Sequence, residues 1–181
     1  MLLSSSQKYL EYGSGGSTYK AAEKGIETLS VESDKFFSSA VKRKISGLSH
    51  HVHLHYADIG ITGPWGVPIE TFATKSSKKR YKDYVFSPDQ YLEDTFYDTV
   101  LIDGRFRVAC ALYCINRAMK YHAKTLICID DYAMREAYHV VEKFCKRDSL
   151  SGRMAFFKVE KKNLLKLPTE EEILQYCNDY L

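Results

Sequence analysis

The sequence predicts a single α/β domain in which helices alternate with the strands of a mainly parallel, doubly wound sheet. Short apolar, β-prone runs recur between segments of helical periodicity along the 181-residue chain. That order implies right-handed crossovers and parallel neighbours. The length suits one sheet covered on both faces, so residues 1–181 read as one domain.

Taken in order, Lys8–Tyr12 is a first strand, stopped by the glycines of Gly13–Gly16. Ser17–Lys24 reads as a helix, with Ser14 or Ser17 as N-cap and Gly25 as its stop. Ile26–Glu32 is a second strand, and Asp34 caps a helix carrying Phe36, Phe37, Ala40, Val41 and Ile45 at helical spacing. His51–Ala57 alternates as a third strand. The connection 58–94 is rich in glycine, proline and charge, and its length predicts some helix within it. Asp98–Asp103 is a fourth strand bounded by Gly104, Phe106–Tyr121 a helix, Thr125–Asp130 a fifth strand and Tyr132–Lys146 another helix. Arg153–Glu160 is a late strand, and Pro168–Glu172 opens a closing helix.

Composition narrows the class. Hydrophobic residues at 45% and charged residues at 27% are ordinary for a soluble globular protein. A net charge of +3 is too weak to imply a nucleic-acid partner, and the one local run, Lys75–Lys82, reads as a solvated loop. The five cysteines are odd in number, and their spacing suggests no zinc site. Cys110 and Cys114, four apart in an apolar helical stretch, read as buried free thiols, which fits an intracellular compartment. No segment reads as a signal peptide or membrane span, so a cytoplasmic protein with no membrane partner is expected.

A doubly wound sheet binds ligands beyond the carboxyl ends of its strands. Gly13-x-Gly15-Gly16 lets a ligand approach the backbone and the helix N-terminus beyond it, but it lacks the dinucleotide-binding spacing G-x-G-x-x-G. Glu32 ends the second strand sixteen residues after Gly16, and a carboxylate there suits a ribose diol. Standing alone, Glu32 is equally a solvated acid or a cap. Asp103, Asp130 and Asp131 end two neighbouring strands, and three unpaired like charges would raise one another's pKa. A divalent cation removes that conflict, and oxygen ligands suit Mg²⁺ or Mn²⁺. In the alternative, Asp131 caps the next helix and Asp103 contacts a ligand amino group.

Glu11–Thr18, followed by Val31–Asp34, His55–Gly60, Val100–Arg107 and Asp130-Asp131-Tyr132, resembles the S-adenosylmethionine-binding motifs of class I methyltransferases. The likeness runs over residues 8–160 and implies a Rossmann-like domain. It also implies S-adenosylmethionine as cofactor, with Gly13, Ser14, Gly15 and Ser17 around the methionine portion and Glu32 at the ribose. Asp58 and Ile59 would meet the adenine and Asp103 the amino group, while Glu11, Thr18 and Ser33 complete the cofactor site. The aspartate trio resembles that of metal-dependent O-methyltransferases of the macrocin and antibiotic-sugar type, where the metal grips substrate oxygens. Those relatives carry Asp-Gly-Asp where this chain has Asp103-Gly104-Arg105, and an arginine is no base.

The candidate catalytic residues are therefore Asp103, Arg105 and His55. Arg105 and Arg107 would orient an oxygen-rich or anionic substrate, or the cofactor carboxylate. His55, nearest its strand end, is the histidine placed to act as base, whereas His50, His51, His53 and His139 read as structural. Gly13–Thr18 and Ile102–Ala109 resemble segments of small methyltransferases of bacteria and large DNA viruses, some of them associated with glycan synthesis, which would place a viral version in the host cytoplasm. The expected reaction is O-methylation of a sugar or glycan hydroxyl, in a cleft without an N-terminal cap domain and so open to a large acceptor. An RNA or protein methyltransferase using Lys75–Lys82, or a non-catalytic cofactor-binding protein, remains the alternative. Trp65, on the constrained segment 63–68, would cover the adenine, stack on a sugar or anchor its loop. The oligomeric state stays open.

Overall fold

A computed structural model describes residues 3–48, 50–63, 66, 68–69 and 74–177. Its strands are β1 (Lys8–Tyr12), β2 (Glu27–Glu32), β3 (Val52–Tyr56), β4 (Thr99–Ile102), β5 (Thr125–Ile129), β6 (Ser149–Ser151) and β7 (Met154–Val159). They form one sheet in the order β3-β2-β1-β4-β5-β7-β6. β1 to β5 run parallel, and β7 enters antiparallel beside β5 with β6 as its hairpin partner. The strand order reverses between β1 and β4, which is where such a sheet opens a crevice.

The helices are α1 (Gly16–Glu23), α2 (Lys35–Ile45), α3 (Lys75–Phe86), α4 (Arg107–Lys120) and α5 (Glu170–Tyr176). All four residues of β4 are buried, as expected of a central parallel strand covered on both sides. Alternation divides its neighbours between two cores: Tyr9, Leu101 and Cys128 pack with Ala21 and Ile26 on one face. Leu10, Val100, Ile102, Ile127 and Ile129 pack on the other with the buried residues of α4, among them Val108, Leu112 and Ile115.

The first five strands and the helices after β1, β2 and β4 stand where the residue pattern puts them, to within two residues. The connection after β3 holds α3, capped by Thr74, whose Oγ1 accepts from Ser77 N at 3.1 Å. Ser77, Tyr81, Tyr84 and Val85 form its buried face, so the Lys75–Lys82 run is mainly the outer surface of a helix and not a loop. The helix expected over Tyr132–Lys146 is instead two 3-10 segments, Tyr132–Met134 and Glu136–Lys143. Asp131 enters the first with φ 58° and Arg135 separates the two in an extended conformation, so no continuous α-path exists. β6 was not expected: its three residues are all exposed and carry no hydrophobic pattern. All five cysteines are free and buried. No helix of the described residues is long and apolar enough to cross a membrane.

Candidate functional site

The loop after β1 is held against the loop after β4 by two glycines. Gly13 has φ 93°, and a β-carbon on it would stand 2.9 Å from Gly104 N. A β-carbon on Gly104 would lie 2.2 Å from the Tyr84 hydroxyl and 2.9 Å from the Tyr12 carbonyl carbon. Only glycine lets the two backbones meet this closely. Gly15 and Gly16 differ: a β-carbon on either would meet nothing within 4 Å, so space lies open beside them.

Beneath this loop, Glu11 is fully buried and accepts from Tyr9 Oη at 2.9 Å, Ser17 Oγ at 2.6 Å and Thr18 Oγ1. Thr18 Oγ1 in turn accepts from Gly15 N at 2.8 Å. Glu11, Ser17 and Thr18 thus tie α1 to β1 from behind the loop, and burial pushes the Glu11 carboxyl above its usual range. The Ser14 hydroxyl pairs with that of Ser30 at 2.8 Å.

Glu32 closes the loop from the side. Its Oε2 accepts from Ser14 N at 2.9 Å, and its Oε1 from Ser33 N at 2.7 Å and Asp34 N at 2.8 Å. A carboxylate has about four acceptor positions, so three backbone N–H groups fix its orientation and leave one free. Burial raises its pKa, and the three donors oppose that rise. Asp58 is exposed beyond β3, with Oδ1 accepting from Gly60 N at 2.8 Å. The Ile59 side chain is fully buried in the core, so only its backbone is available to a ligand.

Asp103, Asp130 and Asp131 do converge, with carboxylate oxygens within 4.8 Å of one another. Two arginines meet the resulting conflict. Arg107 Nη2 lies 3.1 Å from Asp103 Oδ1, and its Nη1 lies 3.2 Å from Asp131 Oδ2. Arg153 grips Asp130 through Nε at 3.0 Å and Nη2 at 2.7 Å, and its Nη1 lies 3.3 Å from Asp131 Oδ1. The oxygen ligands expected of a metal centre are thus brought together and are at the same time engaged by guanidinium groups. Nor does Asp131 cap a helix, since its side chain makes no cap hydrogen bond. Burial pushes the Asp103 carboxyl up and Arg107 pulls it down, with the first effect larger. Phe106 and Asp131, just after β4 and β5, both sit in the left-handed region at φ 53° and 58°. Such conformations are held against a local cost and cluster at ligand sites.

Arg105 follows Gly104, half-buried, with its backbone N donating to Tyr84 Oη at 3.3 Å. His55 is not brought to this group. It is the last residue but one of the edge strand β3, three strands from β4 and roughly 14 Å away at ordinary strand spacing. Its Nδ1 pairs with Tyr91 Oη at 2.8 Å, and burial lowers its pKa. His53 packs its ring 4.5 Å from that of Tyr91, and His139 stacks on Tyr132 at 4.9 Å. Trp65 lies outside the described residues. Sequence reasoning missed Arg153 and Tyr84. The signal for Arg153 was the preceding Gly152, a turn glycine with φ 58° that joins β6 to β7.

Over 97% of its length the chain is similar to a methyltransferase-like protein from Silicibacter pomeroyi, at 31% sequence identity, a TM-score of 0.78 and 88% coverage of that protein. Two other solved structures are far less similar. The N-methyltransferase NodS from Bradyrhizobium japonicum shares 14% identity at a TM-score of 0.47, with 87% of this chain and 89% of that one aligned. A TehB-like S-adenosylmethionine-dependent methyltransferase from Corynebacterium glutamicum shares 11% at 0.45, with 85% and 80% aligned. Neither likeness is strong enough to add to the first. No protein-family model and no curated protein matches the chain.

Proposed function

This chain belongs to the family of the methyltransferase-like protein from Silicibacter pomeroyi, and we propose on that premise that it transfers a methyl group from S-adenosylmethionine to a sugar or glycan hydroxyl. The observation that carries the cofactor is the joint between Glu32, at the end of β2, and the glycine loop through Ser14 N, beside the crevice that opens between β1 and β4. A fixed carboxylate stands there beside a loop whose Gly15 and Gly16 leave room for a ligand. Glu32 keeps one acceptor position for a ribose hydroxyl, and Asp58 offers an exposed acceptor for the adenine amino group.

S-adenosylmethionine would supply a methyl group on a sulfonium, whose carbon would bond to the acceptor oxygen while the carbon–sulfur bond breaks in line and sulfur keeps the electron pair. Asp103, half-exposed at the end of β4, takes the proton that the hydroxyl loses. Its raised pKa makes it a better proton acceptor near neutral pH than an ordinary aspartate. Arg107 holds that carboxylate in place from within the core. No step of the proposed reaction is routed through a metal; Arg107 and Arg153 engage the three aspartates and leave one net negative charge. The sugar hydroxyl rests on the resemblance of Gly13–Thr18 and Ile102–Ala109 to methyltransferases of which some are associated with glycan synthesis.

The test is calorimetry with S-adenosylmethionine, followed by a labelled methyl-transfer screen against glycans, RNA and phenols. Binding that weakens tenfold or more in Glu32→Ala supports the cofactor site. Turnover reduced on the order of a hundredfold or more in Asp103→Asn, with cofactor affinity kept, supports the base. Absence of binding would end the proposal, and label found only in RNA would replace the acceptor.

A further inference from the structure

The helix α2 turns Ser38, Val41 and Ile45 into the protein. On its other side Phe36, Phe37, Ala40, Arg43 and Lys44 follow the i, i+1, i+4, i+7, i+8 spacing of one helix face, and all are exposed. Phe36 is 87% exposed and Phe37 48%. Adjacent phenylalanines left in water on one face mark a contact surface. This face runs into a cleft of about 400 Å³ between α1 and α2, lined by Tyr19, Phe37, Val41 and Ile45 and flanked by Lys20 and Lys44. Both ammonium groups stand over the Tyr19 ring, at 5.6 and 5.7 Å from its centroid, and Lys20 also pairs with Glu23 at 2.7 Å. The charge on α2 has one sign, since its charged residues are Lys35, Lys42, Arg43 and Lys44. Among the described residues none of these stands within ion-pair distance of a carboxylate.

We propose that this face of α2 docks on a lipid bilayer with anionic headgroups, Phe36 and Phe37 entering the acyl boundary while Arg43 and Lys44 meet the headgroups. A basic helix with phenylalanines on one face suits the plane of a membrane interface. Its lysine and arginine stems lie along the apolar surface and hold their charges at headgroup level. The residue types favour lipid over a protein partner, because lysine, serine and alanine, here Lys44, Ser39 and Ala40, are depleted at protein interfaces. A second copy set face to face would oppose cation to cation. A nucleic acid would use the charge but not the aliphatic floor of Ala40, Val41 and Ile45. The expectation of no membrane partner rested on the lack of a spanning segment, and a helix that lies on a bilayer needs none. The docking goes beyond the methyl-transfer reading and does not depend on it.

The experiment is cosedimentation of the full chain, without cofactor, with vesicles of phosphatidylcholine alone and of equimolar phosphatidylcholine and phosphatidylglycerol. Binding about tenfold or more tighter to the anionic vesicles, and weaker as salt rises, supports the docking. Phe36→Ser, and Arg43→Gln combined with Lys44→Gln, should each weaken it about tenfold or more. These side chains are exposed, so the core is kept. Lys75→Gln combined with Lys78→Gln, on α3, tests for diffuse charge and should change binding by less than about twofold. An equal loss in that α3 variant, or no preference for the anionic vesicles, would overturn the proposal. So would a chain that ignores both vesicles and instead self-associates through Phe36 or captures a uridine oligonucleotide through Arg43 and Lys44. With no cofactor in the assay, failure of methyl transfer leaves the result standing.

Discussion

Gly13 and Gly104 press the backbones of two loops together, with Gly104 N only 2.9 Å from where a β-carbon of Gly13 would stand. The contact fixes the loop after β1 to the strand end that carries Asp103. Gly104→Ala would force its new carbon against the Tyr84 hydroxyl and against the Tyr12 backbone. Overpacking of this kind costs about 1–3 kcal/mol. In a chain of this length that is a fall in Tm of roughly 2–12 °C, with weaker cofactor binding. Adding Tyr84→Phe removes only the nearest atom, so calorimetric scans of both variants should show partial recovery. Full recovery would mean that the backbone contact is unimportant.

Arg107 is buried and uses nearly its whole fork. Nε donates to Gly104 O at 3.0 Å, Nη1 to Asp130 O at 2.7 Å and Nη2 to Asp103 O at 3.2 Å, besides its two carboxylate pairs. Lysine offers one compact ammonium and cannot reproduce that set. Arg107→Lys should destabilise the fold by about 2–4 kcal/mol, the carboxylates being partly exposed and so less punishing than fully buried ones. Denaturant unfolding measures this directly; a loss under about 0.5 kcal/mol would show that the aspartates do not depend on Arg107.

The parts that could be read from the residues are those buried on both faces or set by residue type at a strand end. β4 and β5 are apolar runs because helices cover them; Asp103 stands out as the acid that follows β4, and Glu32 as the acid that ends β2. β6, Ser149-Leu150-Ser151, is solvent-facing throughout and leaves no periodic trace. Without β6 the hairpin is invisible, and with it the reach of Arg153 back to Asp130. The left-handed turn at Asp131 is likewise a backbone choice that the sequence Asp130-Asp131-Tyr132 does not announce, and it breaks the helix expected after it. The spacing of the aspartates therefore suggested a metal, where the fold supplies arginines.

Removing one of those arginines should create the cation site that the aspartates resemble. Arg153 is 63% exposed, so Arg153→Ala leaves the core intact while freeing Asp130 and Asp131. Millimolar Mn²⁺ or Mg²⁺ should shift the Tm of the unaltered chain by less than about 1 °C. In Arg153→Ala the same ions should raise it by roughly 3–6 °C, as expected for an ion at about ten times its Kd. A chelator should leave methyl transfer by the unaltered chain unchanged. Activity that vanished with the chelator and returned with Mn²⁺ would mean that Arg153 gives way to a metal.

Glu11 makes the fold sensitive to pH in a definite direction. Its carboxyl is fully buried and its pKa is raised above the ordinary 4.5, with desolvation as the largest cause. Between the unfolded and folded values the native state binds more protons than the unfolded chain, so stability falls as pH rises. The contribution is complete below the unfolded value and is lost as pH climbs through the folded one. Glu11→Gln keeps the shape and cannot titrate. The urea midpoint of the unaltered chain, relative to that variant, should therefore decline as pH rises above the ordinary carboxyl value of 4.5. Glu32 has a pKa shifted in the same direction, but it is common to both proteins and cancels in the difference. A difference that stayed flat, or rose with pH, would mean that the hydroxyls of Tyr9, Ser17 and Thr18 stabilise the ionised form enough to outweigh its burial.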